Sequence, residues 1–228
     1  YLCTISGQDI YLGFILLQGF DSNVAKDIIH ARAEAGDFLG LEDFINRVPI
    51  GIEHLSLLIR IEAFRFTNKS KRSLLWDAHS KLAKIKSSVV VKPLFDKARK
   101  SFNIPDLPST WIEDAFDQLE LLGFSLYSPF KLLAQPSIIE AYPYSASDLP
   151  NNKGKVIEIL AYLITLKKTT TIDRKIMFFG TFLDIRGQWV DSVHFPSVAY
   201  RYPFRGRGIY LLKGRVTEEF DHYMLECI

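Results

Sequence analysis

Apolar side chains recur at helical spacing through the first part of the chain. Val24 and Ile28 lie on one face of a predicted helix over residues 22–35, which Asp21 or Ser22 would cap at its start. Similar spacing predicts further helices over residues 10–17, 41–48, 52–66, 71–84 and 109–126. The buried side of the last helix is expected to carry Ile112, Phe116, Leu119 and Phe124. The pattern therefore predicts an all-α beginning.

The pattern changes after positions 142–154, a stretch rich in proline, asparagine and small residues that we interpret as a domain boundary. Short runs of aromatic and β-branched residues follow, separated by turn residues such as Gly187. Five strands are predicted, over residues 155–166, 175–183, 189–194, 208–217 and 222–228. Five short strands fit an oligonucleotide-binding (OB) barrel in number and spacing. Because Phe178 and Phe179 are adjacent on one strand, one of them faces inwards and the other outwards.

Composition favours a folded chain. Apolar residues make up 48% of the 228 residues, with 17 Phe and 10 Tyr, so disorder is excluded as a general description. No apolar run reaches the ~20 residues of a membrane helix, and no basic leader indicates a signal peptide. Cys3 and Cys227 suggest no disulfide framework, so we expect a cytoplasmic protein. The chain begins without Met, and we expect it to be a piece of a longer protein.

The charge is distributed unevenly, although the net charge is only +2. Residues 49–100 carry 12 Lys and Arg against 4 Asp and Glu, and residues 151–228 carry 12 against 8. In contrast, residues 1–48 carry 3 against 7, and residues 101–150 carry 1 against 7. A polyanion would therefore meet two favourable blocks.

Three stretches resemble, in the same order, the C-terminal region of bacterial DNA polymerase III alpha subunits, the C-family replicative polymerases. Residues 177–200, MFFGTFLDIRGQWVDSVHFPSVAY, are similar to the barrel of that family, with Leu183 in place of a Glu. Residues 120–129, ELLGFSLYSP, are similar to a preceding segment, although the His of the family is absent. Residues 17–44 resemble its helix-hairpin-helix segment.

The resemblance implies an α+β multidomain architecture. It comprises an all-α helix-hairpin-helix domain over residues 1–66, a basic helical connector over 67–150 and a five-stranded OB-fold barrel over 151–228. This piece would not be an enzyme, whereas its parent would be a DNA-directed DNA polymerase, a nucleotidyltransferase whose Mg²⁺-binding carboxylates lie elsewhere. The piece would hold single-stranded template and help to tether the polymerase to its sliding clamp. The implied partners are single-stranded DNA, duplex DNA, the clamp and other replisome subunits, with no membrane and no cofactor in this piece.

Candidate DNA contacts lie on the predicted barrel, because OB barrels combine a basic groove with aromatic faces on which bases stack. Those near the ends of the first three strands are Lys167, Lys168, Lys175, Arg186, Phe178 and Phe179. Those in the connection before the fourth strand are Arg201, Arg205 and Arg207. For the outward phenylalanine the alternative is an apolar contact with the helical domain, and for the three arginines it is a solvated loop.

A second candidate site is the hairpin, because backbone N–H groups at a helix N-terminus can hold a phosphate. The corresponding residues are Gly19, Ser22, Asn23 and Lys26. Asp21 replaces the second hairpin Gly of the family and puts a carboxylate where the phosphate would sit. The alternative is therefore a hairpin that only packs.

A third candidate is a clamp-binding peptide, which the family carries between hairpin and barrel as Gln-x-x-Leu-Phe. Val91, Leu94 and Phe95 occupy a similar place, with Val91 where the Gln should be. Leu94 and Phe95 would fill the apolar pocket of the clamp. The alternative is a local apolar contact with the helical domain.

Catalytic signatures are mostly absent: no phosphate-binding loop, nucleophile elbow or dinucleotide fingerprint occurs, and the five His show no metal-ligand spacing. Asp114, Asp117 and Glu120 fall on one helical face, where we expect solvated charges and keep a metal site as the alternative. The competing function is a replisome protein-interaction module that does not bind DNA directly. A freestanding RNA-binding barrel ranks last.

Overall fold

A computed structural model describes residues 1–87 and 110–228, which form two compact units, Tyr1–Tyr127 and Ser128–Ile228. The segment predicted as a connector, residues 67–150, is divided between the two units. Its two long helices pack in the first unit, whereas residues 128–150 belong to the second. Among the described residues, none of the helices combines the length and the apolar character needed to cross a membrane.

The first unit is mainly helical. Its elements are β1 (Thr4–Ser6), β2 (Asp9–Tyr11), α1 (Ser22–Ala35), α2 (Leu41–Arg47), α3 (Ile52–Arg60), α4 (Lys71–Ser87) and α5 (Trp111–Leu122). Short 3-10 turns lie at Phe14–Leu16 and Arg65–Thr67. Asp21 caps α1 as predicted, because its carboxylate accepts a hydrogen bond from the Asn23 N–H.

The helix predicted over residues 10–17 is wrong. Residues 4–11 form an antiparallel hairpin in which Ile5 pairs with Ile10, and a 3-10 turn follows it. Gly7 takes a positive φ of 63° in the hairpin turn, a conformation that glycine adopts without strain. The β-branched isoleucines on both sides of that turn favour strands over helix.

The core of the first unit lies between the helices. Leu55, Leu58 and Ile59 of α3 are at most 2% exposed, and the rings of Phe44 and Phe64 meet edge to face with centroids 5.0 Å apart. Both rings belong to the same buried cluster as the three aliphatic side chains. The apolar face that the sequence predicts for α3 is thus buried in the core.

Helix α5 turns a different face inwards from the predicted one. Ile112 and Phe116 are exposed, whereas Ala115, Gln118 and Leu121 are buried. Gln118 accepts hydrogen bonds from the Leu126 N–H and from the Ser125 hydroxyl. Polar partners in the chain, rather than apolar content alone, decide the orientation of this helix.

A cluster of ion pairs accounts for the orientation of α5 and replaces the predicted solvated face. The Lys71 ammonium lies 2.6 Å from carboxylate oxygens of both Asp114 and Asp117, and Arg60 pairs with Asp117 and Glu120. Desolvation works against the charged form of Lys71, but hydrogen bonds to both aspartates outweigh it and raise the pKa of Lys71. The acidic face of α5 is therefore neutralised by α3 and α4.

The second unit begins with short turns and continues as a barrel. The elements are α6 (Ile138–Ala141), β3 (Val156–Thr170), β4 (Ile176–Asp184), β5 (Trp189–His194), α7 (Pro196–Arg201), β6 (Ile209–Glu219) and β7 (His222–Cys227). Short 3-10 turns lie at Pro129–Leu132, Ala146–Asp148 and Pro150–Asn152. All five predicted strands are confirmed, with small differences at their ends.

The five strands close into a barrel in the order β3-β4-β5-β7-β6, and β6 pairs back onto β3. Every pair is antiparallel except β5 with β7, which is parallel. Ile159, Phe182, Val190 and Leu225 fill the interior and are inaccessible to solvent. The predicted fold class, a helical part followed by a five-stranded barrel, is confirmed.

The stretch interpreted as a domain boundary, residues 142–154, is part of the barrel unit. Leu149 lies in the barrel core at 3% exposure, and the buried Asp184 carboxylate accepts a hydrogen bond from the Ala146 N–H. Asp184 also closes the β4–β5 turn by accepting hydrogen bonds from the N–H groups of Arg186 and Gln188. One carboxylate thus fastens the incoming chain to the barrel wall.

Candidate nucleic-acid interface

The barrel wall places the candidate residues on two different sides. Strand register aligns Lys167, Phe179 and Val193 in one row across β3, β4 and β5. The next row, Lys168–Phe178–His194, points to the opposite side of the sheet, because successive side chains alternate. Phe182 and Val190 share the alternation of this second row and are buried in the core, so the first row faces outwards.

The structure decides between the two adjacent phenylalanines. Phe179 is 43% exposed on the outer side, whereas the Phe178 ring packs edge to face on Phe204 with centroids 5.7 Å apart. Phe179 is therefore available to stack on a base, and Phe178 is engaged inside. The sequence interpretation missed Trp189, which is 62% exposed and shares the outer side with Val193 through their even spacing on β5.

A tight hairpin between β3 and β4 carries further cations. The Lys175 N–H donates to the Thr171 hydroxyl, and the Arg174 N–H donates to the Thr171 carbonyl. Arg174 has a positive φ of 58° and is exposed, as is Lys175. Arg174 was also missed by the sequence interpretation, although its place between two predicted strands and next to Lys175 is a readable signal.

Basic side chains of the barrel fall into two groups by their pairing. Lys153 pairs with Glu218, and the Lys213 ammonium lies 2.8 Å from Glu158. Hydrogen bonds to these carboxylates raise the pKa of both lysines. Several barrel cations have no ion pair in the described part of the chain, among them Lys155, Arg186, Arg201, Arg205 and Arg215. Four others without an ion pair lie close together in the sequence: Lys167, Lys168, Arg174 and Lys175. These four belong to the end of β3 and the hairpin that follows.

Arg186 lies apart from these cations. It sits in the turn after β4, at the opposite end of a nine-residue strand that is roughly 30 Å long. Its guanidinium donates to the Ser147 hydroxyl at 3.2 Å. The structure therefore does not bring Arg186 together with Lys167, Lys168 and Lys175.

The three arginines before β6 lie in the connection after α7. The Arg201 guanidinium lies over the Tyr202 ring, 5.3 Å from its centroid. The Arg205 N–H donates to the Tyr210 hydroxyl, which itself donates to the Gly206 carbonyl. This connection, which includes Arg207, is ordered by backbone contacts that leave the Arg201 and Arg205 side chains at the surface.

One carboxylate interrupts the outer side of the barrel. Asp191 accepts hydrogen bonds from the Thr181 hydroxyl at 2.7 Å and from the His222 ring at 2.9 Å. Its charge is thereby partly satisfied within the protein. Among residues 1–87 and 110–228, no group of three or more His, Cys, Asp or Glu side chains is arranged to hold a metal ion.

The hairpin before α1 is a poorer phosphate-binding site than its motif suggests. Gly19 has a positive φ of 74°, and Ser22, Asn23 and Lys26 are exposed. However, the Asp21 carboxylate accepts from the Asn23 N–H at 2.7 Å and so occupies the helix N-terminus. This contact argues against phosphate binding at Gly19, Ser22, Asn23 and Lys26, which stays a prediction.

Two comparisons with known proteins bear on the resemblance. Residues 1–74 match the helix-hairpin-helix motif family. The chain is 30% identical over 125 residues to DNA polymerase III subunit alpha of Aquifex aeolicus. The matched stretch covers 53% of this chain and about 10% of that relative. The resemblance to DNA polymerase III alpha subunits is confirmed.

Two departures from the polymerase III alpha pattern acquire a structural meaning. Leu183, in place of the Glu of the family, lies opposite Trp189 on the outer side, so this corner is apolar here. Asp21, in place of the hairpin Gly, acts as a helix cap. The predicted clamp-binding residues of the polymerase III alpha family, Val91, Leu94 and Phe95, lie outside the described residues.

Proposed function

We propose that this chain is a DNA-binding region of a replicative DNA polymerase and that its barrel holds single-stranded template on the outer side of β3, β4 and β5. The observation that carries the proposal is the exposed Phe179 ring beside Lys167, which has no ion pair, with two more such cations, Arg174 and Lys175, in the adjoining hairpin. OB barrels bind single strands with this combination of stacking ring and basic groove.

Two stacking positions would set the path of the strand. Phe179 lies four residues from Leu183, and Leu183 pairs with Trp189 on the neighbouring strand. Strand geometry puts Phe179 and Trp189 roughly 14 Å apart. A single strand would cross β4 obliquely, with bases on the two rings and its backbone passing Lys167 towards the hairpin. Base stacking is tolerant of sequence, so we expect little sequence preference.

In the parent polymerase, we propose that this region steadies the template while nucleotide addition takes place elsewhere. The metal-bound carboxylates, with Mg²⁺, would belong to other parts of the polymerase. Tethering to the sliding clamp through Val91, Leu94 and Phe95 is a further part of the proposal.

The test is a titration of the 228-residue chain with a fluorescent single-stranded oligonucleotide and its duplex at several salt concentrations. Replacing Lys167, Lys168 and Lys175 by Ala should weaken single-strand binding. It should also reduce the slope of log K against log salt by roughly 2, from about 0.7 per lost phosphate contact. The matched control replaces Lys153, Lys155 and Arg215, which the protein already engages.

A protein-interaction module is the second candidate, favoured by the apolar Leu183–Trp189 corner and by the exposed Ile5–Ile10 pair of the β1–β2 hairpin. It predicts poor oligonucleotide affinity and little salt dependence. Equal affinities for the two triple variants would remove the lysines from the proposal. Absence of binding to either DNA at low salt would favour the protein-interaction role.

A further inference from the structure

A cleft on the barrel unit lies away from the outer side of β3, β4 and β5. It has a volume of about 450 Å³ and lies between the connection after α7 and strand β6. Its lining includes His194, Arg201, Tyr202, Phe204, Arg205 and Tyr210. This volume falls in the range of small-molecule sites, and the mixture of rings and cations is typical of nucleotide recognition.

His194 forms part of the cleft wall and is 5% exposed. The Ser192 hydroxyl donates to the Gly180 carbonyl at 3.3 Å, so the 2.9 Å contact between Ser192 Oγ and His194 Nε2 needs the proton on Nε2. Burial lowers the pKa of His194 from 6.5 to about 4, and the ring is therefore neutral at pH 7. Nδ1 is then an acceptor.

In the described part of the chain, His194 Nδ1 makes no hydrogen bond. The ring is held in place by Phe204, whose centroid lies 4.8 Å away in an edge-to-face contact. The residue as a whole is nearly buried, but Nδ1 is not among the described polar atoms that are cut off from solvent without a partner, so it borders the open cleft. A ligand that brings an N–H donor to this position would satisfy it.

The rim of the cleft supplies positive charge. Within the described ranges, neither Arg201 nor Arg205 forms an ion pair with a carboxylate. Lys213, on the same wall, is held by Glu158. The planar guanidinium group matches the geometry of a phosphate, and Arg201 is already oriented by its stacking on Tyr202.

We propose that this cleft binds one nucleoside phosphate, with an N–H donor of the base against His194 and the phosphate at Arg201 and Arg205. This inference rests on the proposed function, because the nucleotide in the cleft would be one nucleotide of the bound DNA strand. The alternative source with the same chemistry is a free nucleotide. Every base carries an N–H donor, an exocyclic amino group in adenine, cytosine and guanine and the N3–H group in thymine, so we expect little base preference.

The first experiment follows the histidine ring signals of the 228-residue chain by NMR during titration with deoxycytidine 5′-monophosphate and thymidine 5′-monophosphate. The His194 signals are assigned by their loss in His194→Gln. Saturable shifts of these signals are expected with both nucleotides, because both bases present an N–H donor. Replacing Arg201 and Arg205 by Ala should weaken binding at least tenfold, whereas Lys153→Ala with Arg215→Ala should leave it unchanged.

The second experiment distinguishes the source of the nucleotide. If a strand supplies it, an oligonucleotide with a 5′-phosphate should shift the His194 signals at lower concentration than the free nucleotide. A free nucleotide that binds more tightly than the oligonucleotide would assign the cleft to free nucleotides. No response of His194 to any nucleotide at millimolar concentration, or the same response in the arginine variant, would overturn the inference.

Failure of this inference can be told apart from failure of the proposed function. Phe179→Ala should weaken oligonucleotide binding on the outer side and leave the response of His194 to the free nucleotide intact. Oligonucleotide binding without a nucleotide response rejects only the cleft. A nucleotide response in a chain that does not bind oligonucleotides rejects only the template-holding role.

Discussion

The helical unit and the barrel unit use their charges in opposite ways. In the helical unit, Lys71 and Arg60 are pinned between carboxylates of α5 and have 12% and 30% of their side-chain surface exposed. In the barrel unit, Lys167 and Lys175 are without ion pairs inside the described part of the chain. A count of basic residues cannot separate these cases. Only unpaired cations release counterions from a polyanion at little cost to the protein, so pairing is the better guide to a nucleic-acid site.

The largest expected effect is on the buried ion pairs of the helical unit. Lys71→Ala leaves the nearly buried Asp114 without its cation and leaves Asp117 with Arg60 alone, which should destabilise this unit by about 3 kcal/mol. Lys69→Ala is the matched control, because its pair with Asp77 is exposed and should contribute less than about 1 kcal/mol. Urea unfolding measures both. DNA affinity at native temperatures should not change.

The second effect belongs to the barrel and depends on pH. The pKa of His194 is lowered by burial to about 4, against 6.5 for an exposed histidine. The unfolded chain therefore binds the extra proton first, and stability should fall as the pH drops through the window from 6.5 to 4, by about 3 kcal/mol in total.

Unfolding of wild type and His194→Gln at pH 7 and pH 4.5 tests this effect, since the variant has no such group to titrate. A difference between the variants that is the same at both pH values would contradict it. The helical unit is the internal control, because His54 on α3 shows no comparable burial.

The third effect concerns base stacking on the exposed Phe179 ring at the proposed interface. Phe179→Ala should weaken single-strand binding by about 1 to 3 kcal/mol, the contribution of one stacked base. Phe116→Ala is the control, because Phe116 is an exposed phenylalanine of the helical unit, at 60% exposure. Fluorescence titration measures both variants, and equal losses would show that exposed phenylalanines act through stability rather than through DNA.

The smallest effect concerns the hairpin. Asp21→Asn keeps a good helix cap but removes the carboxylate from the start of α1, so duplex affinity should rise by no more than about 0.5 kcal/mol. The measurement is a duplex titration at low salt, with Asp27→Asn as the control for charge alone. A rise of more than tenfold would make the hairpin a principal DNA site and reverse the comparison between the units.

Local patterns determined much of the fold. The strands of the barrel and helix α1 lie where alternation, helical spacing and turn residues indicate, because these signals act between near neighbours in sequence. The same local chemistry explains why Asp184 closes its turn and why Asp21 caps its helix. The N-terminal hairpin escapes prediction because a short apolar run fits either helix or strand, and Gly7, with its positive φ, makes the turn that decides between them.

Long-range contacts decided the rest. Strand alternation requires that one of Phe178 and Phe179 faces out, but the packing of Phe178 on Phe204 leaves Phe179 at the surface. The sequence contains other features of this kind. It placed Asp114 and Asp117 on one helical face, but Lys71, 46 residues from Asp117, turned that face inwards. The sequence shows how many basic residues the barrel unit contains, but only the folded chain shows which of them have partners. Pairing and burial depend on residues that are distant in sequence and adjacent in space, so no local pattern can report them.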